Sequence, residues 1–111
     1  MDIDAAGYNL LVATKSSTNA LVDLRMGRVV KRFRGHQNSS RHFIRAAFGP
    51  TDEKVMGGSE DGSIYIWDVN TAEVDRVLQG HEDVVYQSLW SSVHGVLASC
   101  SDDRSILLYQ Q

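Results

Sequence analysis

From Ser63 to Trp67 the side chains alternate, with Ile64 and Ile66 on one side and Tyr65 and Trp67 on the other. This is the period-2 pattern of a strand. Lys54 to Ser59 reads as its partner, joined through Asp61-Gly62; an Asp-Gly pair between β-rich runs signals a hairpin, because Gly tolerates the positive φ of a tight turn. The same reading along the chain predicts strands at Met1 to Asp4, Tyr8 to Thr14, Asn19 to Leu24, Arg28 to Phe33, His42 to Phe48, Glu73 to Leu78, Val84 to Trp90, Val96 to Ser101 and Ser105 to Tyr109. Turns separate them at Ala5-Ala6-Gly7, Lys15 to Thr18, Met26-Gly27, Gly49-Pro50, Asn70-Thr71-Ala72 and His94-Gly95. No segment has a helical period, and no linker or low-complexity tract interrupts the series.

The strands repeat. Gly35-His36 and Gly80-His81 stand 45 residues apart, and each precedes an inner strand and a hairpin. That spacing falls in the range of one propeller blade. With Gly57-Gly58-Ser59-Glu60-Asp61-Gly62 and Tyr65-Ile66-Trp67-Asp68, the chain resembles the WD40-repeat family. The resemblance implies an all-β fold of four-stranded antiparallel blades in an incomplete propeller. Residues 1–34 then form a degenerate blade lacking its start, 35–79 a complete blade, and 80–111 a blade lacking its outer strand. Aligned on the second blade, Thr14 matches Ser59, Ser16 matches Asp61 and Val22 matches Trp67, so the first blade has lost two of three signature residues. In this family the final blade is commonly completed by a strand from the chain's beginning, so stopping at a third strand resembles the C-terminal end of a larger propeller.

Length sharpens this expectation. At ~40–45 residues per blade, 111 residues hold fewer than three blades, whereas propellers close with about four to eight. Open repeats leave strand edges and faces unpartnered. The chain is therefore expected to belong to a longer polypeptide or to close by association. One cysteine, Cys100, excludes a disulfide framework and reads as a small buried residue of a strand. The N-terminus lacks the basic and apolar regions of a signal peptide, and no apolar run approaches the ~18 residues needed to span a membrane. The reading is intracellular, cytoplasmic or nuclear.

His36, Ser59 and Asp61 are the residue types of nucleophilic catalysis. The same types recur as His81, Ser101 and Asp103. Recurrence suits one brace per blade better than one active site, and no G-x-S-x-G elbow is present to expose a nucleophile. The WD40 resemblance implies hydrogen-bonded tetrads: His36, Ser59, Asp61 and Trp67 in the second blade, and His81, Ser101, Asp103 and Tyr109 in the third. In the latter a hydroxyl replaces an indole N–H. A hydrolase using His36, Ser59 and Asp61 stands as a rival reading. Four His and one Cys lack metal-ligand spacing, and neither a P-loop nor a dinucleotide fingerprint occurs. No cofactor or metal is expected, and the chain reads as non-enzymatic.

Binding is expected where the copies differ. From the repeat His to the last aromatic of the inner strand takes 12 residues in one blade (His36 to Phe48) and nine in the next (His81 to Trp90). The excess lies in the polar run 37–42, and binding residues concentrate on loops held by a rigid scaffold. Family geometry points to Arg41, His42, Glu60, Val84, Tyr86 and Asp102 as partner-binding candidates, with Glu60 and Asp102 tinting the mouth acidic, as suits a basic peptide tail. Seven of the 11 Lys and Arg fall between Arg25 and Arg45. Such a stretch can meet nucleic-acid phosphate or simply keep an outer strand edge from pairing. The leading expectation is a scaffold for proteins or peptides in a multiprotein complex, with the remaining blades as further partners. An RNA-associated propeller is the alternative.

Overall fold

The structure, a computed structural model, describes residues 2–3, 9–14, 17–36, 38, 44–49, 54–91, 96–101 and 103–110. Among the described residues, eleven strands form three antiparallel meanders. The first sheet is β1 (Asp2–Ile3), β2 (Asn9–Thr14), β3 (Thr18–Asp23) and β4 (Arg28–Arg34). The second is β5 (Ala46–Phe48), β6 (Lys54–Gly58), β7 (Ser63–Asp68) and β8 (Val74–Gln79). The third is β9 (Val85–Ser91), β10 (Val96–Ser101) and β11 (Ile106–Gln110).

The strand boundaries agree with the alternation pattern to within one residue except at β5. There the strand begins at Ala46 rather than His42; residues 42 and 43 lie outside the described residues. Ile44 and Arg45 precede the ladder, and the Arg45 amide instead donates to the Tyr86 carbonyl of the third sheet at 2.8 Å. The backbone here serves the joint between sheets rather than the sheet itself.

Register shows that the three hairpins are copies. Leu10 pairs with Val22, Val55 with Trp67 and Leu97 with Tyr109; one step along, Leu11 pairs with Leu21, Met56 with Ile66 and Ala98 with Leu108. A bulge recurs at equivalent places, between Leu21 and Val22 and between Ile66 and Trp67. The tight turns share one backbone state, with positive φ at Ser17 (57°), Gly62 (85°) and Arg104 (68°). Only the middle copy supplies the glycine that this region favours.

Alternation then decides stacking. Val55 and Trp67 join Leu11, Leu21 and Phe33 in a cluster between the first and second sheets. Met56, Ile64 and Ile66 point the other way and meet Val85 and Leu97 of the third. The second sheet is thus apolar on both faces, and Trp67, Val55, Met56, Ile64 and Val85 are fully buried. Gly58 permits the second joint, since a Cβ there would lie 2.0 Å from the Val85 carbonyl oxygen. The Trp67-Asp68 pair ends β7 in a turn: the Asn70 amide donates to Asp68 Oδ1, while Lys54 lies 3.5 Å from Asp68 and 3.2 Å from Asp75. Among the described residues no helix is long and apolar enough to cross a membrane.

Candidate functional site

The hairpin turns and the loops that connect the sheets meet at one end of the stack. Asn38, only 2% exposed, donates its amide to the Ser17 hydroxyl and its side-chain nitrogen to the Thr14 carbonyl, and its own carbonyl accepts from the Ser17 amide. One sheet further on, the Val85 amide donates to the Ser59 carbonyl at 3.0 Å. In the third sheet the Ser101 hydroxyl donates to the Asp83 carbonyl. These bonds tie each loop to a rigid hairpin.

At this end the third sheet holds a connected polar network. The His81 ring, with its side chain out of solvent, lies 3.0 Å through Nδ1 from Asp103 Oδ2 and 2.7 Å through Nε2 from the Ser99 hydroxyl. A carboxylate only accepts, so Nδ1 carries the proton and Nε2 takes the Ser99 O–H. Asp103 also accepts from the Ser105 hydroxyl and from the Glu82 and Ser105 amides. The Ser105 hydroxyl is the largest cause, and the Glu82 amide the next, of an Asp103 carboxyl held well below the usual carboxylate range. Donors aimed at the ionised form stabilise it.

Of the residues expected here, His81 and Asp103 meet side chain to side chain, whereas Ser101 reaches only the Asp103 backbone amide, which donates to its hydroxyl oxygen at 3.3 Å. The hydroxyl on His81 is that of Ser99, which pairs with Leu107 across the hairpin as Gly57 pairs with Tyr65. Ser101 sits past the β9–β10 register shift after Cys100, which turns its hydroxyl to Asp83. Tyr109 does not complete the network either; its hydroxyl is buried with no hydrogen-bond partner among the described residues. Matching serines between the two copies misled the alignment, because the second sheet has Gly57 where the third has its bridging serine.

The second sheet's set is disconnected for the same reason. His36 is 3% exposed, and neither ring nitrogen has a hydrogen-bond partner among the described residues. It packs against Trp67 edge-on at 5.0 Å and lies 6.3 Å from the Tyr65 ring. Burial lowers its pKa below the ordinary 6.5, against a smaller upward pull from the Asp61 carboxylate. Asp61 itself faces solvent and accepts from the Ser63 amide and the Tyr65 hydroxyl. Trp67 Nε1 donates to the Arg34 carbonyl at 2.9 Å rather than to Ser59. Ser59 is fully buried and engages the next sheet through its carbonyl. A serine at Gly57 would force its neighbours to shift, since its Cβ would fall 2.6 Å from Asn19 Nδ2 and 3.1 Å from the Trp67 ring. Asn38, Ser99, Ser105 and the Arg34 carbonyl were not singled out by sequence. For Asn38 a signal existed: it stands two residues after His36, as Asp83 does after His81.

The partner-binding candidates separate likewise. Glu60 and Tyr86 are part-exposed beside the loop end. Val84 is only 4% exposed, so it presents almost no surface to a partner. Arg41, His42 and Asp102 lie outside the described residues. Cys100, expected to be buried, is exposed on the outer face of the third sheet. On β4, Arg28, Arg32 and Arg34 are exposed, while Lys31 donates to the Asn70 carbonyl of the second sheet. Among the described residues no group of three or more His, Cys, Asp or Glu is placed to hold a metal.

The WD domain, G-beta repeat family model matches residues 27–68 and 72–110. Together with the stacked antiparallel sheets, this shows that the chain belongs to the WD40 family and that its sheets are blades of an incomplete propeller. The chain is 33% identical over 82 residues to the U5 small nuclear ribonucleoprotein 40 kDa protein of Dictyostelium discoideum, covering 73% of this chain and 23% of that protein. It is 37% identical over 84 residues to a WD repeat-containing protein 26 homolog of Arabidopsis thaliana (74% and 14%). Over 103 residues it is 30% identical to Protein Atg16l2 of Mus musculus (91% and 16%). The chain thus spans less than a quarter of the length of these curated relatives.

Proposed function

We propose that this chain is a non-enzymatic part of a WD40 scaffold that binds proteins or peptides within an intracellular multiprotein complex. The observation that carries the reading is the placement of the catalytic-type side chains. Ser59, Ser99, His36 and His81 are all buried, between 0 and 7% exposed. His36 bonds to neither Ser59 nor Asp61, so a hydrolytic relay is not assembled at that trio. What the loop end offers outward is a fixed surface bearing Glu60 and Tyr86. A carboxylate and an aromatic at the same end of the stack suit an Arg- or Lys-bearing peptide. A panel of fluorescein-labelled tail peptides graded in Lys and Arg content tests this by anisotropy. Binding should rise with basic content and be lost on Glu60→Arg and Tyr86→Ala with the melting temperature unchanged. Binding indifferent to both substitutions would remove the loop end as the site.

A second reading, association with RNA, is favoured by Arg28, Arg32 and Arg34 exposed together on β4 and by a relative named as part of a ribonucleoprotein. Its signature is affinity for a single-stranded oligonucleotide that falls steeply with salt. Salt-insensitive binding, or none, would sink it.

A further inference from the structure

We infer, building on the peptide-binding reading above, that a polar cavity at the joint between the second and third sheets seats one cationic side chain of a partner, arginine or lysine. The cavity, of about 300 Å³, is lined by Asp61, Gly62, Ser63, Gln79 and His81. That is the lower limit of the roughly 300–1,000 Å³ of small-molecule pockets, which suits a single side chain better than a cofactor. The two joints of the chain differ at this corner. At the first, Asn38 donates its side-chain nitrogen to the Thr14 carbonyl and its amide to the Ser17 hydroxyl, and the Trp67 indole donates to the Arg34 carbonyl. At the second, 45 residues on, Gly62 stands for Ser17, Gln79 for Arg34 and Asp83 for Asn38, with Tyr109 in the register position of Trp67. Gly62 has no hydroxyl and Asp83 no side-chain N–H. The Tyr109 hydroxyl is buried with no hydrogen-bond partner among the described residues.

The second joint has thus lost donors and an arginine, and its acceptors remain. A Cβ at Gly62 would run into the His81 carbonyl oxygen and lie 3.3 Å from that of Asp83, so two main-chain acceptors converge on the bare glycine. Charge points the same way. In the lining Asp61 carries the charge, since the His81 ring nitrogens are taken up by Asp103 and Ser99. Asp61 accepts from the Ser63 amide and the Tyr65 hydroxyl, which leaves about two of a carboxylate's four acceptor positions. It pairs with no Lys or Arg among the described residues, and Glu82 and Asp83, next along the loop, are exposed. An anion would meet like charge here, and an apolar group would leave the acceptors unpaired. Among the described residues no group of three or more His, Cys, Asp or Glu is placed to hold a metal. An ammonium or guanidinium meets both needs, bringing several N–H donors and a positive charge.

Acetyl-arginine methylamide, titrated into the full chain and followed by backbone amide shifts in NMR, should move the Gly62 and Gln79 signals saturably. The neutral isostere acetyl-citrulline methylamide should not. Asp61→Asn keeps an acceptor for the Ser63 amide and should weaken binding by about tenfold or more, as loss of an ionic hydrogen bond does. Gln79→Arg copies the first joint, where Arg34 stands at the same place; it should fill the cavity from within and abolish binding, with the melting temperature unchanged. Equal shifts from the citrulline derivative, or binding untouched by Gln79→Arg, overturn the assignment. The cavity and the peptide partner fail separately. Saturable binding of the arginine derivative without affinity for any tail peptide supports the cavity and overturns the peptide partner. Tail-peptide binding that survives both Asp61→Asn and Gln79→Arg keeps the partner and overturns the cavity.

Discussion

Ser99 and Ser101 are two residues apart on one strand, yet their hydroxyls face different problems. Ser99 supplies the proton to a buried imidazole nitrogen; Ser101 bonds a carbonyl at the rim. Removing one partner of a buried pair leaves the other unsatisfied, at a cost of about 1–3 kcal/mol. Ser99→Ala should therefore lower the unfolding free energy by about that amount and Ser101→Ala by under about 1 kcal/mol, as urea denaturation would show. Equal losses would contradict the assigned bridge. His36 sets a pH dependence. Its folded pKa is depressed, burial being the main cause, so the unfolded chain takes up the proton first as pH falls. Its neutral form costs nothing above the ordinary 6.5, and stability is lost below it. Melting temperature should drop between about pH 7 and pH 5 in the native chain, and this component should be missing in His36→Phe. Parallel profiles would show that His36 does not titrate in this range.

At the scale of the element, the three hairpins reach one shape by different chemistry. The middle one takes its positive φ from Gly62; its neighbours place Ser17 and Arg104 in the same region. Gly58, by contrast, is required by what lies across the joint. A methyl there would meet the Val85 carbonyl at 2.0 Å, and neither backbone can give way without opening the sheets. Gly58→Ala should cost about 2 kcal/mol or more, as overpacking does, read as a lowered urea midpoint. An unchanged midpoint would mean that the joint is looser than its geometry. Strand composition explains the outer edges. β4 and β8 carry charged residues and are largely exposed apart from the buried Phe33, whereas β11, Ile-Leu-Leu-Tyr-Gln, carries no charge. Charges on an edge discourage further pairing.

For the whole molecule, order should decline outward from the middle. β6 and β7 are buried on both faces, between two apolar clusters. β11 is a sheet edge with Ile106 and Leu108 in solvent. Opening free energies follow buried contacts. Native-state hydrogen exchange should find the slowest amides in β6 and β7 and fast exchange in β11. Uniform protection across the strands would argue against this ranking.

Alternation, Gly and Asp-Gly turns and the 45-residue repeat made ten of the eleven strands legible to within a residue, because these are local properties of the chain. The side-chain network was legible in residue type and only partly in position. His81 and Asp103 lie beside their own turn, but the bridging serine depends on which way a strand position faces. That serine also has no counterpart in the copy used as a template, where Gly57 yields its space to Asn19 of the neighbouring sheet. Likewise Val84 reads along the chain as the start of a strand and a partner contact, yet it is only 4% exposed. The sequence by itself determined the strands, the turns and the repeat, since period and turn chemistry act over a few residues. The tertiary structure decided which polar groups meet, which apolar faces are covered and which are left open, because those depend on the packing of one sheet upon the next.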